Sequence, residues 1–297
     1  MLRVLLLAAL GRAGSMDVVV AHHHSAALGL LANTTVLRGS PPRWIVYNKG
    51  SDASFDWVRA LPHSAVEVRG LPNVGREGHT YLWHIVHRYD ALADHTLFTQ
   101  EALHPDVNAD AALRLERLFG ADTDFLSLGL EHVCEVDNAT AAGCHERGNP
   151  HIKSVLEWAT GEPAPRRFAF AASATFVASR ECIRCRPRET YAKLLELVSA
   201  QEGHAVFRLP PYRLGGAHML PEPLPLGADA RHPPVRVWTA ADPYFGHLLE
   251  RLWAPLLACT TERAAEPADR ALDAHLKRRF DARLLRVLHC RSGAHTR

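Results

Sequence analysis

Leu71-Pro72-Asn73-Val74-Gly75-Arg76-Glu77-Gly78-His79-Thr80-Tyr81-Leu82-Trp83-His84-Ile85-Val86-His87-Arg88-Tyr89, continued by Asp90 to Gln100, decides the fold. Tyr81, Leu82, Ile85, Val86 and Tyr89 recur at helical spacing, which predicts a helix from Arg76 to Tyr89 with Asn73 or Gly75 at its entrance. His95-Thr96-Leu97-Phe98-Thr99 then reads as a strand stopped by Gln100-Glu101. Ala65-Val66-Glu67-Val68-Arg69, closed by Gly70 and Pro72, is the strand before it. Strand, helix and strand with short links form a right-handed parallel crossover. The expected fold is therefore α/β, a Rossmann-like, mostly parallel sheet flanked by helices.

Working outward, Asp17 to Ala21 and Arg43 to Tyr47 are short β-branched runs ending in polar residues, and both read as buried strands. Further on, Ala109 to Phe119 is a helix, Asp124 to Leu128 a strand and Phe168 to Ala178 a strand region. Helices follow from Pro187 and over Asp242 to Leu257, and an amphipathic helix is expected over Pro267 to Leu288. Leu209 to Pro234, rich in Pro and Gly, reads as an irregular loop able to cover a site. The expected organisation is a leader over 1–15, one α/β domain over 16–261 and a helical tail over 262–297.

Ligands of open parallel sheets bind beyond the carboxyl ends of the strands. His22-His23-His24, Asn48-Lys49-Gly50, Asn73 to Glu77 and Gln100-Glu101 each follow an expected strand on that edge, so they should share one rim. Gly75 permits close backbone approach, the helix entrance behind it offers N–H groups, and Arg76 and Lys49 add charge. The set suits a phosphate, a diphosphate or a carboxylate. The competing account is a capped helix with a solvated Arg76. Glu77, Tyr81, His84 and Arg88 share one helical face, and His79, Trp83 and His87 another. Glu77 and His84 on the first face are candidates for a general base and its partner, unless His84 is a core histidine.

With 47% hydrophobic residues in 297, the chain can bury a substantial core, and 34 Lys+Arg against 32 Asp+Glu leave no global field for nucleic acid. Arg166, Arg167, Arg180, Arg184, Arg186 and Arg188 form a local basic cluster, either a phosphate or RNA contact or a solvated face. There is no G-x-S-x-G, P-loop, H-E-x-x-H, or G-x-G-x-x-G after a strand. Asp122-Thr123-Asp124 has the D-x-D form that holds a divalent cation in many nucleotide-sugar transferases, though it precedes a strand instead of following one. Nineteen His show no repeated metal spacing.

Val4 to Leu10 is a short apolar run before Ala13 and Ser15, as in a secretory leader, unless Met16 is the true initiator and the chain stays cytoplasmic. Two sequons, at Asn33 and Asn138, and six Cys favour the secretory pathway. Cys134 and Cys144 are spaced for a local disulfide. The pairing of Cys182, Cys185, Cys259 and Cys290 stays open, and Cys182-x-x-Cys185 is expected to be structural or thiol rather than zinc-binding.

Tyr47-Asn48-Lys49-Gly50, the block from Leu71 to Ile85, and Phe98, Gln100 and His104-Pro105 resemble the core of a eukaryotic, largely fungal family, the domain-of-unknown-function 3431 family. Phe176-Val177 with Ser179-Arg180, Arg186-Pro187-Arg188, Tyr191, and Glu250-Arg251-Leu252-Trp253 are similar to its later motifs, so the likeness spans about residues 17 to 257. The family resembles A-type glycosyltransferases, and also the arginine-containing cyclodipeptide synthases that use aminoacyl-tRNA. The resemblance implies a transferase binding a small or nucleotide-linked substrate. Glu77, His84 and Gln100 are its candidate catalytic residues, and Asn48, Lys49, Asn73, Gly75, Arg76, His79, Tyr81, His104, Arg180 and Arg186 its binding residues. A divalent cation would then be held by Asp122 and Asp124. One departure is clear: where the family has acidic residues after the first strand, this chain has Ala21-His22-His23-His24-Ser25. A binding module without turnover is therefore a further reading; donor, acceptor and oligomeric state stay open.

Overall fold

The computed structural model describes residues 14–24, 28–51, 54–101, 105–129, 134–135, 152–164, 169–170, 174–199, 213–214, 217–218, 240–257 and 289–291. Residues 1–13 of the expected leader, His104, Asn138, Arg166, Arg167, Cys144, Cys259 and the helix over 267–288 lie outside them.

A seven-stranded sheet forms the centre, in the order β3-β2-β1-β4-β8-β5-β11. Its parallel half is β3 (Ala65–Gly70), β2 (Arg43–Asn48), β1 (Met16–His22) and β4 (His95–Gln100). The expected crossover from β3 through α4 (Arg76–Arg88) to β4 is present, and it carries the chain past β2 and β1 to the far side of β1. Beyond β4 the sheet turns mixed. β8 (Phe176–Ser179) runs antiparallel to both β4 and β5 (Thr123–Ser127), and β11 (His289–Arg291) runs antiparallel to β5.

β1 and β2 are buried on both sides, and their side chains alternate between two cores. Val19, Ile45 and Tyr47 join Tyr81, Phe98, Phe176 and Trp253 under α4, α8 (Arg188–Val198) and α9 (Tyr244–Leu256). Val18, Val20, Trp44 and Val46 pack on the opposite face, against Leu31 of α1 (Gly29–Ala32), Leu37 of α2 (Thr35–Gly39), Val58 of α3 (Asp56–Arg59) and Leu115 of α5 (Pro105–Leu118). A period of two with both faces apolar is why these strands read as continuous hydrophobic runs.

Three expectations need correction. The region Phe168 to Ala178 is two strands: β7 (Ala169–Phe170) pairs with β6 (Cys134–Glu135) in a separate small sheet, and only β8 enters the centre. Within the expected irregular loop from Leu209 to Pro234, β9 (Arg213–Leu214) and β10 (Ala217–His218) form a short antiparallel pair. The segment expected to be a helical tail supplies β11 at the sheet edge. An edge strand of three residues carries too little periodicity to be read locally.

Ser179 joins β8 to α7 (Arg180–Arg184): its Oγ accepts from Cys182 N at 3.0 Å and donates to Asp124 Oδ1 at 3.1 Å. Ser179→Ala is expected to cost about 1–2 kcal/mol, because it removes a helix cap and one hydrogen bond of a buried carboxylate. Urea denaturation measures this, and an unchanged midpoint would contradict it.

Candidate functional site

The carboxyl ends of β1, β2 and β4 and the head of α4 enclose a cleft of about 220 Å³ lined by Ala21, His22, His23, Lys49, Asn73, Arg76, Glu77, Gln100 and Glu101. The expected shared rim is therefore real in space. A larger, more open depression of about 590 Å³ lies between the α1–α2 connection and α5, around Asn33, Thr35, Glu116 and Arg117, and no strand end reaches it.

Glu101, just after β4, organises the loop after β1. Its carboxylate accepts from His23 N and, at 2.7 Å, from His24 N, and His22 Nδ1 lies 2.6 Å from its Oε2. His22 is buried between Phe55 and Trp57, at ring-centre distances of 5.3 and 5.7 Å. Gly50 closes the same corner, because a Cβ there would meet His23 O at 1.8 Å. Asn73 Nδ2 reaches His23 Nε2 at 3.0 Å across the cleft. An acid thus serves the first-strand loop after all, supplied by β4 and not by the loop itself.

Lys49 is 8% exposed, and its Nζ donates to Val74 O at 2.5 Å and to Arg76 O. Burial pushes its amine down to about 8, against the pull of Glu77. No carboxylate lies within ion-pair distance of it among the described residues. An ammonium has three N–H donors, so one is left for the cleft.

Arg76 is used differently. Its guanidinium lies 3.4 Å from Glu77 Oε2, 3.1 Å from Asp242 Oδ1 and 2.9 Å from Glu250 Oε1, and it also contacts His247. The expected anion cradle at the helix entrance is likewise taken up from within. Gly75 N donates to Ala240 O at 2.7 Å and Arg76 N to Ala241 O at 3.1 Å. Gly75 and Arg76 both adopt left-handed backbone, with φ of 64° and 52°. For Arg76 this is strained, and it is held by its own backbone and side-chain bonds to the 240–242 segment. The close approach that Gly75 permits is by Val198, whose carbonyl oxygen would sit 2.5 Å from a Cβ, and not by a ligand.

Other candidates also leave the site. His84 is fully buried, with Nδ1 3.0 Å from Tyr47 Oη, and burial pushes its imidazole down to about 3, so it is a neutral core group and not a base. Tyr81 lies in the core against Phe98, Phe176 and Trp253. His79 is buried behind Gly75 and likewise held down to about 3, chiefly by burial. Asn48 shapes the turn after β2, its Oδ1 accepting from Gly50 N at 3.0 Å. Arg180 pairs with Asp94, and Arg186 with Glu162 and Leu256 O, while Arg184 donates to Tyr89 O; all three sit at the amino edge of β4, opposite the cleft. Arg180, Arg184 and Arg186 thus tie segments of this chain together, while Arg188 is exposed at the head of α8. Glu77, Lys49, Asn73, Arg76 and Gln100 remain in the cleft lining.

The D-x-D pair does not fit a cation. Asp124 points into the strand layer toward Ser179, and Asp122 is paired with Arg291 at the amino end of β5. No group of three or more His, Cys, Asp or Glu is arranged for a metal among the described residues. Cys182 is buried with its thiol directed at Leu257 O, 3.1 Å away, as a structural residue would be. The residues that sequence reading gave no role are Asp242 and His247, and Glu250, which it noted only within the Glu250-Arg251-Leu252-Trp253 motif; their signal is acids and a histidine gathered at the head of a helix.

Fold and cleft together define an α/β protein with a cleft at the carboxyl edge of parallel strands. The chain belongs to the family described as Protein of unknown function (DUF3431), which matches residues 43–208. No curated protein matches it. Among solved structures it is similar to S. aureus TarS 1-349, at 13% identity over 60% of this chain and 53% of that one, with a TM-score of 0.31. The same TarS fragment in complex with UDP gives 14%, 61% and 53%, with a TM-score of 0.32. Glucosyl-3-phosphoglycerate synthase from Mycobacterium tuberculosis, in complex with Mn2+, UDP and glucosyl-3-phosphoglycerate, gives 17%, 57% and 58%, with a TM-score of 0.29. The chain spans about half the length of these structures. No helix among the described residues is long and apolar enough to cross a membrane.

Proposed function

We propose that the chain is a glycosyltransferase-like transferase whose cleft binds the diphosphate end of a nucleotide-linked donor. The observation that carries this reading is Lys49, a buried ammonium without an ion-pair partner among the described residues, with one N–H left toward the cleft that it lines. A buried cation of this kind is costly unless an anion meets it. Asn73 and Gln100 supply neutral hydrogen-bonding groups around it, and Glu77 supplies the carboxylate. In the transfer, the bond between the donor's sugar carbon and the diphosphate oxygen breaks, and the departing charge faces Lys49. An acceptor hydroxyl forms the new bond, and its proton goes to Glu77. At about 220 Å³ the cleft is below the ~300–1,000 Å³ typical of sites that enclose a drug-sized ligand, which suits the reacting end of a donor. The secretory pathway is the compartment that fits a disulfide at Cys290 and an exposed Asn33 sequon.

Titration calorimetry against a panel of nucleoside diphosphates tests the reading. At least one should bind, and Lys49→Met, which keeps the stem and removes the charge, should weaken it at least ~10-fold, about 1.4 kcal/mol. Absence of binding by the whole panel, or equal affinity in the variant, would refute it.

A further inference from the structure

The heads of α4 and α9 meet in a cluster that gathers three carboxylates on one guanidinium. One guanidinium, that of Arg76, faces three carboxylates at 2.9 to 3.4 Å: Glu77, Asp242 and Glu250. His247 adds Nε2 at 2.8 Å from Asp242 Oδ1 and Nδ1 at 3.8 Å from Glu250 Oε1. Arg251 on α9, Lys49 after β2 and Tyr81 on α4 are the other ionisable groups that act on the cluster. Tyr81, wholly buried beside these acids, is kept neutral. The Asp242 side chain is 37% exposed and can lean on water, whereas those of Glu77 and Glu250 are 7% and 14% exposed. The two buried carboxyls, held on one guanidinium, are therefore the pair that is costly to ionise together.

Glu77 Oε1 is a buried acceptor with no donor. The carboxyl that adjoins it, within hydrogen-bonding reach and gripped by the same guanidinium, is that of Glu250. Two ionised carboxylates repel and can only accept, whereas a carboxylic acid beside a carboxylate supplies the missing donor and relieves the repulsion.

We propose that Glu77 and Glu250 share a single proton, forming an acid–carboxylate pair whose outer member, Glu77, opens on the cleft. The orphaned Oε1 is satisfied by it, and the repulsion between two buried carboxylates on one guanidinium is relieved. Burial and the neighbouring Glu77 hold Glu250 up to about 7, against Arg76 and Arg251, so the pair gains and loses its proton near neutrality. What the pair does rests on the transferase reading: Glu77 touches the reacting hydroxyl, and Glu250 is a positioning residue that holds the shared proton behind it. Sequence-distant Glu250 thereby becomes part of the acid–base equipment of the site.

Carbon-13 NMR of the full-length protein labelled at glutamate carboxyls reads the pair directly. A glutamate signal should titrate near pH 7 in the wild type, and that transition should be lost in Glu250→Gln. If every glutamate titrates in the ordinary acidic range, or if the neutral transition survives in Glu250→Gln, the shared proton is refuted. Should that variant fail to fold, Glu77→Gln removes the pair from its other side, and the wild-type titration decides in either case. Nucleoside diphosphate binding is measured on the same sample. A neutral transition without nucleotide binding upholds the pair and overturns the transferase reading; binding without the transition does the reverse.

Discussion

Gly75→Ala is expected to destabilise the protein by about 2–5 kcal/mol, a large share of the ~5–15 kcal/mol that holds a domain folded. Two separate costs add. The backbone at Gly75 has φ of 64°, a left-handed conformation that costs an L side chain about 1–2 kcal/mol. A new Cβ would also meet Val198 O at 2.5 Å, Val198 Cγ2 at 2.7 Å and His79 Cβ at 2.9 Å. The first of these is a backbone oxygen, so no rotamer change relieves it; α8 must move away from α4, an overpacking cost of about 1–3 kcal/mol. Because Gly75 N also anchors the 240–242 segment, the cleft should loosen with the fold. Gly39→Ala, where nothing lies within 4 Å of a Cβ, is the control. Urea unfolding of both variants checks the expectation, and equal midpoints would show that α8 gives way freely.

Acid should destabilise the fold in a way that traces to two histidines. His79 and His84 are held down to about 3 by burial, well below the ordinary 6.5. Between those values the unfolded chain takes up protons that the folded chain refuses, so their contribution is complete above pH 6.5 and is lost as pH falls toward 3. At pH 5 each removes about 2 kcal/mol relative to neutrality. Glu250, held up to about 7, has the opposite sign. Its contribution is complete below the ordinary 4.5 and is lost as pH rises through 7, so over pH 5 to 7 it returns about 2 kcal/mol. Together these groups should leave a net loss of about 2 kcal/mol between pH 7 and 5. His84→Asn, which can keep a hydrogen bond to Tyr47, should abolish that fall. A stability–pH curve as steep in the variant as in the wild type would remove His84 from the account.

Much of the fold was legible because strand and helix periodicities are local. Val18 to Val20 and Trp44 to Tyr47 alternate between two cores, and the α4 pattern declares which residues face the sheet. The mixed half was harder. β11 has three residues, and β8 has four and runs against its neighbours, so neither repeats long enough to announce its partner.

The rim was legible for a related reason. Parallel strands all end at one edge, so polar residues that follow them must gather there, and Lys49, Asn73, Glu77 and Gln100 do line one cleft. Roles were not legible. His84 shares a helical face with both Glu77 and Tyr81, and packing against Tyr47 and Phe98 decides that it is internal. The basic cluster read as a phosphate contact or a solvated face because Asp94 and Glu162, the counter-charges of Arg180 and Arg186, lie in other segments.

By itself the sequence determined the βαβ crossover, the parallel edge and the residues assembled on it, since each follows from side-chain period and chain direction. Only the tertiary structure decided what those residues can do. Arg76 meets Asp242 from 166 positions away and His247 from 171, and the helix entrance is closed by Ala240 and Ala241. The availability of a charge or a donor depends on what the rest of the chain places against it. The stretch from Leu71 to Gln100 therefore located the site, and the distant head of α9 turned its most prominent cation from a ligand contact into a strut.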